Sequence, residues 1–149
     1  MKRFVWVAAM TWLGAVSLPA HAQRAAEVDI SGAWARSTVP GQMGTGAFMR
    51  LTSKDGARVI GASSEAAGVV EIHEMAMDGN VMRMRSISSL DLPAGTAVEL
   101  KPGGYHMMLM DLKRPLVAGE KVKVDLRLET RDRKLVTQPV EIEVRSHAP

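Results

Sequence analysis

The sequence predicts an all-β fold: an antiparallel Greek-key β-sandwich or barrel. Apolar residues recur with period two, most clearly at Val122, Val124, Leu126 and Leu128 against Lys121, Lys123, Asp125 and Arg127. Such alternation marks a strand with one face buried and one in water. The runs are short and separated by Gly, Pro and Asp turn signals, the pattern of sandwiches and barrels. Helical periodicity is weak, and Ser63 to Ala67 reads as one turn at most.

The elements follow in order. Val28, Ile30 and Trp34 alternate with polar or small residues. The Thr38–Gln42 segment contains Pro40-Gly41 and reads as a loop, with Met43 just beyond it. Ala47, Met49 and Leu51 form a second period-two run, and Arg58 to Ser63 a shorter one. Asp78-Gly79 between apolar runs is a hairpin signal. With these two residues as the loop, Met77 faces Asn80, Met75 faces Met82, and His73 faces Met84. Thr96 to Lys101 leads through Pro102-Gly103-Gly104 into a strand over Tyr105–Met110. Val140, Ile142 and Val144 alternate with Glu141, Glu143 and Arg145, and Pro139 puts this strand at an edge or marks its start.

Met1 to Ala22 has the features of a secretory leader. Lys2 and Arg3 precede an apolar stretch over Phe4–Leu18, and Pro19-Ala20-His21-Ala22 ends in the A-x-A pattern. Residues 1–22 are thus expected to be removed, leaving 23–149 as one exported domain in the periplasm. That length buries a core without covalent staples. No later stretch is long enough to span a bilayer, so no membrane anchor is expected. The sequence contains no cysteine, which excludes disulfides, thiol redox chemistry and a lipid-modified cysteine. Loss of Lys2 and Arg3 takes the formal charge of +3 to about +1, and the remaining charges are interspersed. Nucleic-acid binding has no basic stripe to support it. Hydrolase chemistry lacks the Gly-x-Ser-x-Gly elbow and the zincin motif.

The chemistry-bearing residues are two histidines and two methionines, spaced His73-x10-Met84-x21-His106-x-Met108. Thioether sulfur is soft and uncharged and favours Cu(I), while imidazole accepts both copper states. Magnesium and calcium need oxygen donors. His106 and Met108 share one face of their strand, and Met107 takes the other. Two strand pieces, each with a His and a Met, make a four-ligand copper site. Methionine also fills core gaps, and an isolated strand histidine is more often structural; the two matched His-Met pairs weigh against that reading. Met75 and Met82 share the face of His73 and Met84, and Met110 that of His106. They read as an apolar collar or ordinary packing, with copper transfer by spare thioethers as the alternative.

With these residues in place, the chain resembles the periplasmic PCuAC-type copper chaperones. The resemblance rests on the four-ligand spacing and on its flanking runs: Ala33-Trp34-Ala35-Arg36, Val39-Pro40-Gly41, Gly46-Ala47-Phe48-Met49, Ile72-His73-Glu74-Met75, Pro102-Gly103-Gly104-Tyr105-His106 and Leu112-Lys113-Arg114-Pro115-Leu116. It implies a cupredoxin-like sandwich that binds Cu(I) in the periplasm; the expectation is a monomeric copper carrier, not an enzyme. It also implies delivery to the copper centre of cytochrome c oxidase subunit II, alongside Sco-type proteins. Some relatives carry a His-rich tail, whereas this chain ends Arg145-Ser146-His147-Ala148-Pro149. Two other readings stand beside it. One is copper sequestration for tolerance without a dedicated acceptor. The other is a Cu(II) protein that uses an N-terminal His21 after cleavage one step earlier.

Overall fold

The computed structural model describes residues 28–149. Its strands are β1 (Val28–Arg36), β2 (Gly44–Ser53), β3 (Ala57–Ser63), β4 (Ala67–Asp78), β5 (Val81–Ile87), β6 (Leu90–Leu92), β7 (Ala97–Leu100), β8 (His106–Leu112), β9 (Lys121–Thr130) and β10 (Leu135–Arg145). Among the described residues there is no helix, so none is long and apolar enough to cross a membrane. The leader over 1–22 and the His21 alternative lie outside the described residues.

Period-two alternation decides what faces inward. In β9, Val122, Val124, Leu126 and Leu128 are buried while Lys121, Lys123 and Arg127 are exposed. In β10, Val140, Ile142 and Val144 do the same. Leu51, Met107, Leu109 and Leu116 complete the centre of the core. Each such side chain contributes about 1.5–3 kcal/mol on full burial.

The strands close into a barrel. The order β4-β8-β2-β1-β10-β9-β3 returns to β4 through the pairing of Ala62 with Val70. Among the described residues every pairing is antiparallel except β1 with β10, which runs parallel at Trp34↔Glu143 through Arg36↔Arg145. β6 adds to β3 and β7 adds to β2. β5 pairs with β4 as the last strand on its side of the sheet. The fold is therefore the all-β, cupredoxin-like barrel expected.

Two local expectations are corrected. First, the hairpin loop is Gly79-Asn80, because Asp78 pairs with Val81. Gly79 has φ +61° while Asn80 has no positive φ, which is the two-residue turn with glycine at its first central position. The register therefore moves by two: Met77 faces Met82, Met75 faces Met84, and His73 faces Ser86 rather than Met84. A shift of two leaves every side chain on its expected face. Second, Pro139 marks neither an edge strand nor a start. β10 begins at Leu135 and lies between β9 and β1. Proline is accommodated because β1 joins β10 only from Glu143 onward. Upstream, the Gln138 side-chain amide meets Val28 instead, donating to its carbonyl at 2.7 Å and accepting from its N–H at 3.1 Å. The single turn expected within Ser63 to Ala67 is present, with Ala67 N–H donating to the Ser64 carbonyl, and β4 begins at Ala67 itself.

Past Ile72 and His73, β4 leaves the barrel wall. Its pairing with β8 ends at His73↔His106, while its pairing with β5 continues to Asp78↔Val81. Glu74–Asp78 and Val81–Arg85 thus form a two-stranded arm.

Candidate metal centre

The centre sits on the outer face of the barrel wall, at the base of the arm. β8 alternates His106, Met108 and Met110 outward with Met107 and Leu109 inward, and Met107 is fully buried in the core. β4 alternates Glu71, His73 and Met75 outward with Val70 and Ile72 inward. The two strands pair His73 directly with His106 and Glu71 with Met108. Their imidazole centroids lie 5.7 Å apart, edge to face at 68°.

Each imidazole is held by one nitrogen. His106 Nδ1 lies 2.9 Å from the Gly104 carbonyl, an acceptor, so Nδ1 carries the proton and Nε2 presents a lone pair. The local sequence builds this contact. Pro102 and Gly103 occupy the centre of a turn closed by Gly104 N–H to the Lys101 carbonyl, with Gly103 at φ +80°, as a type II turn requires. The chain then reverses so that the Gly104 carbonyl meets the ring two residues on. His73 Nε2 donates to Glu71 Oε2 at 3.0 Å, which leaves Nδ1 as the lone-pair nitrogen. Hydrogen bonds from His73, first, and from Ser86 hold the Glu71 carboxyl below the usual carboxylate range.

The remaining nitrogens, His73 Nδ1 and His106 Nε2, are buried and have no hydrogen-bond partner among the described residues. Buried polar atoms without a partner are rare and costly. Two of them on adjacent, facing rings, each opposite an anchored nitrogen, form the arrangement in which imidazole ligates a metal while its other N–H is fixed by an outer acceptor. The His106 residue is 6% exposed and the His73 side chain 14%, so the lone pairs are shielded from bulk water.

The thioethers are placed unequally. Met108 follows His106 at i+2 on the same face and is half-buried. Gly46 and Gly44 lie opposite Met108 and Met110 on β2; a side chain at Gly44 would come within 3.9 Å of Met108 Cε and Met110 Cγ. Met84 is 58% exposed. It stands diagonal to His73 across β4 and β5, two residue pairs further out than expected, a neighbour at about 7–8 Å that a long side chain spans. His73, His106 and Met108 are thus brought together by the barrel wall, with Met84 at the edge from the arm. Met75 and Met110 are half-buried on this face, but Met82 is 57% exposed and Met43 is also exposed. Packing accounts for Met110 and not for Met82.

Glu71 and Gly104 escaped the sequence reading. Glu71 had a usable signal, since i−2 in a strand shares the face of His73. Among the described residues, no group of three or more His, Cys, Asp and Glu could hold a metal. The donor set is imidazole and thioether, which suits a soft ion.

The barrel has the fold of PCuAC domains. It superposes on the copper-bound PCuAC domain from PmoF2 with a TM-score of 0.64 at 21% identity, covering 81% of this chain and 94% of that one. The solution structure of CuI-DR1885 from Deinococcus radiodurans gives a TM-score of 0.63 at 29% identity, covering 86% and 84%. The chain belongs to the family described as "Putative lipoprotein LpqE-like", whose model matches residues 28–140. It is 37% identical over 131 residues to "Putative lipoprotein Lxx21020" of Leifsonia xyli, covering 85% of this chain and 79% of that protein. It is 30% identical over 113 residues to an uncharacterized Rickettsia prowazekii protein, covering 72% of this chain and 62% of that protein.

Proposed function

We propose that this protein is a periplasmic copper carrier, not an enzyme. It binds one Cu(I) through His73 Nδ1, His106 Nε2, Met108 and Met84, and delivers it toward the copper centre of cytochrome c oxidase subunit II. The observation that carries the reading is the pair of buried nitrogens on facing imidazoles, without a partner among the described residues. Relatives whose names record a PCuAC domain with copper and a CuI-loaded form support the choice of ion, and relatives named as lipoproteins support export.

Neutral imidazole and thioether ligands leave the bound ion with its single positive charge. A thiolate acceptor of the oxidase type outcompetes them by ligand exchange, so release needs no change of oxidation state. The chain has no cysteine, so reduction of an acceptor's disulfide falls to another protein, of the Sco type.

The test is anaerobic Cu(I) titration of the full protein with K-edge absorption, followed by mixing with the reduced copper domain of oxidase subunit II. One tightly held Cu(I) with mixed nitrogen and sulfur donors, and its transfer to the acceptor, are expected. Binding without transfer, with normal oxidase activity in a deletion strain under copper limitation, would replace delivery by sequestration.

A further inference from the structure

The arm carries methionines that the four-ligand centre does not use. Met75 and Met77 on β4 share a face with Met82 and Met84 on β5, in directly opposed pairs Met75↔Met84 and Met77↔Met82. Opposed pairs place their Cβ atoms about 4.5–5.5 Å apart, and the three rotatable bonds of methionine let both sulfurs turn toward one point. Met77 is 63% exposed and Met82 57%, so neither is packed in a core. The Met77–Met82 pair lies four residues beyond the His73–Ser86 pair, about 13 Å along the strand, too far to share an ion with His73. The opposite face of the arm is charged but balanced, with ion pairs Arg83–Asp78 and Arg85–Glu74, so it presents no net repulsion to a cation.

We propose that Met75, Met77 and Met82 form a second, thioether-only site for Cu(I), more exposed and weaker than the first. Three neutral soft donors with no nitrogen select Cu(I) over Cu(II) and over zinc. The site continues outward from Met84, so an ion held there is one ligand exchange from the four-ligand centre, and the arm serves as its point of entry and exit. The relay role rests on the function proposed above; the site itself does not.

The experiment is an anaerobic Cu(I) titration of the full chain, labelled with ¹³C at the methionine methyls, against a chelator of known affinity. The wild type is expected to take up a second, weaker Cu(I), with the Met77 and Met82 methyl signals shifting only on that second addition. The Met77→Leu, Met82→Leu double variant keeps the apolar surface and side-chain volume and is expected to lose the second ion while retaining the first. The His73→Ala, His106→Ala variant is expected to keep a weak Cu(I) with an all-sulfur absorption edge, whose binding shifts the Met77 and Met82 methyl signals and is lost when Met77→Leu and Met82→Leu are added. That last arm separates the two proposals, because sulfur-only binding there stands even if the four-ligand centre proves wrong. Methyl signals of Met77 and Met82 that stay fixed in excess Cu(I), or a double Leu variant that still binds the second ion, would overturn the site.

Discussion

The barrel wall and the arm are built from the same strands and obey opposite rules. On the wall, β4 and β8 are each paired on both sides and put Ile72, Met107 and Leu109 into the core. Along the arm, β4 and β5 have only each other among the described residues, and every residue of β5 before Ile87 is exposed. A lone two-stranded ribbon is marginal in water, so the wall holds the arm in place and the arm contributes little in return. The centre straddles this boundary: its histidines and Met108 belong to the rigid side, and Met84 to the loose side. The proposed copper carrier would gain from that division, since sheltered ligands would define the ion and an exposed one would let it leave.

The comparison breaks most visibly on β8, whose two faces differ by one residue. Met107→Ala should cost about 2–5 kcal/mol through the cavity it leaves, read as a lowered denaturation midpoint. Met108→Leu should leave the midpoint within about 1.5 kcal/mol while weakening Cu(I). Equal stability losses at both positions would erase the distinction between wall face and centre.

Ligand losses come next. His106→Ala should weaken Cu(I) by more than removal of an outer partner does. Glu71→Ala, which frees His73 Nε2, should cost about 10–100-fold in affinity with little change in folding. Protons compete with metal for imidazole nitrogen, so affinity should fall toward acid in the wild type. An affinity that ignores pH would remove the histidines from the ligand set. Hydrogen exchange sharpens the boundary itself. Amides of Val81–Arg85 should exchange through local opening, well before those of β8 and β9; equal protection would make the arm part of the wall.

The smallest expected effect lies at the far end of the barrel. Arg114 donates to Glu120 at 2.8 Å and holds its carboxyl below the usual carboxylate range, with Val117 N–H adding a bond at 3.0 Å. A carboxyl depressed in the folded state stabilises above its unfolded pKa, and that contribution is lost as pH falls through the folded value. Glu120→Gln should therefore cost about 0.2–1 kcal/mol near neutrality and nothing in strong acid. A Glu120→Gln protein whose stability loss persists in acid would assign the effect to geometry rather than charge.

How much was legible follows from the range of each signal. Strands β9 and β10 are readable because their alternation is local and unbroken. His106 and Met108 share a face by strand period alone. The hairpin was readable as a hairpin, but Asp-Gly does not say whether glycine comes first or second in the loop. The pairing of His73 with His106 joins residues far apart in the chain, and no local pattern encodes it. For that reason the spacing picked out the candidate ligands while misplacing which of them stand opposite. Pro139 misled because its compensation, the Gln138 amide, comes from a side chain and not from the ladder.

The exposure of the arm also sets where chemical damage falls. Met49 and Met107 are sealed at 3% and 0% exposure, while Met77, Met82 and Met84 stand open to solvent. Peroxide converts an accessible thioether to a sulfoxide, a polar group whose oxygen no longer suits a soft ion, and reductases reverse the change. Oxidant would silence the arm first and leave the barrel standing. The protein would then wait, folded and idle, until repair restored its sulfur.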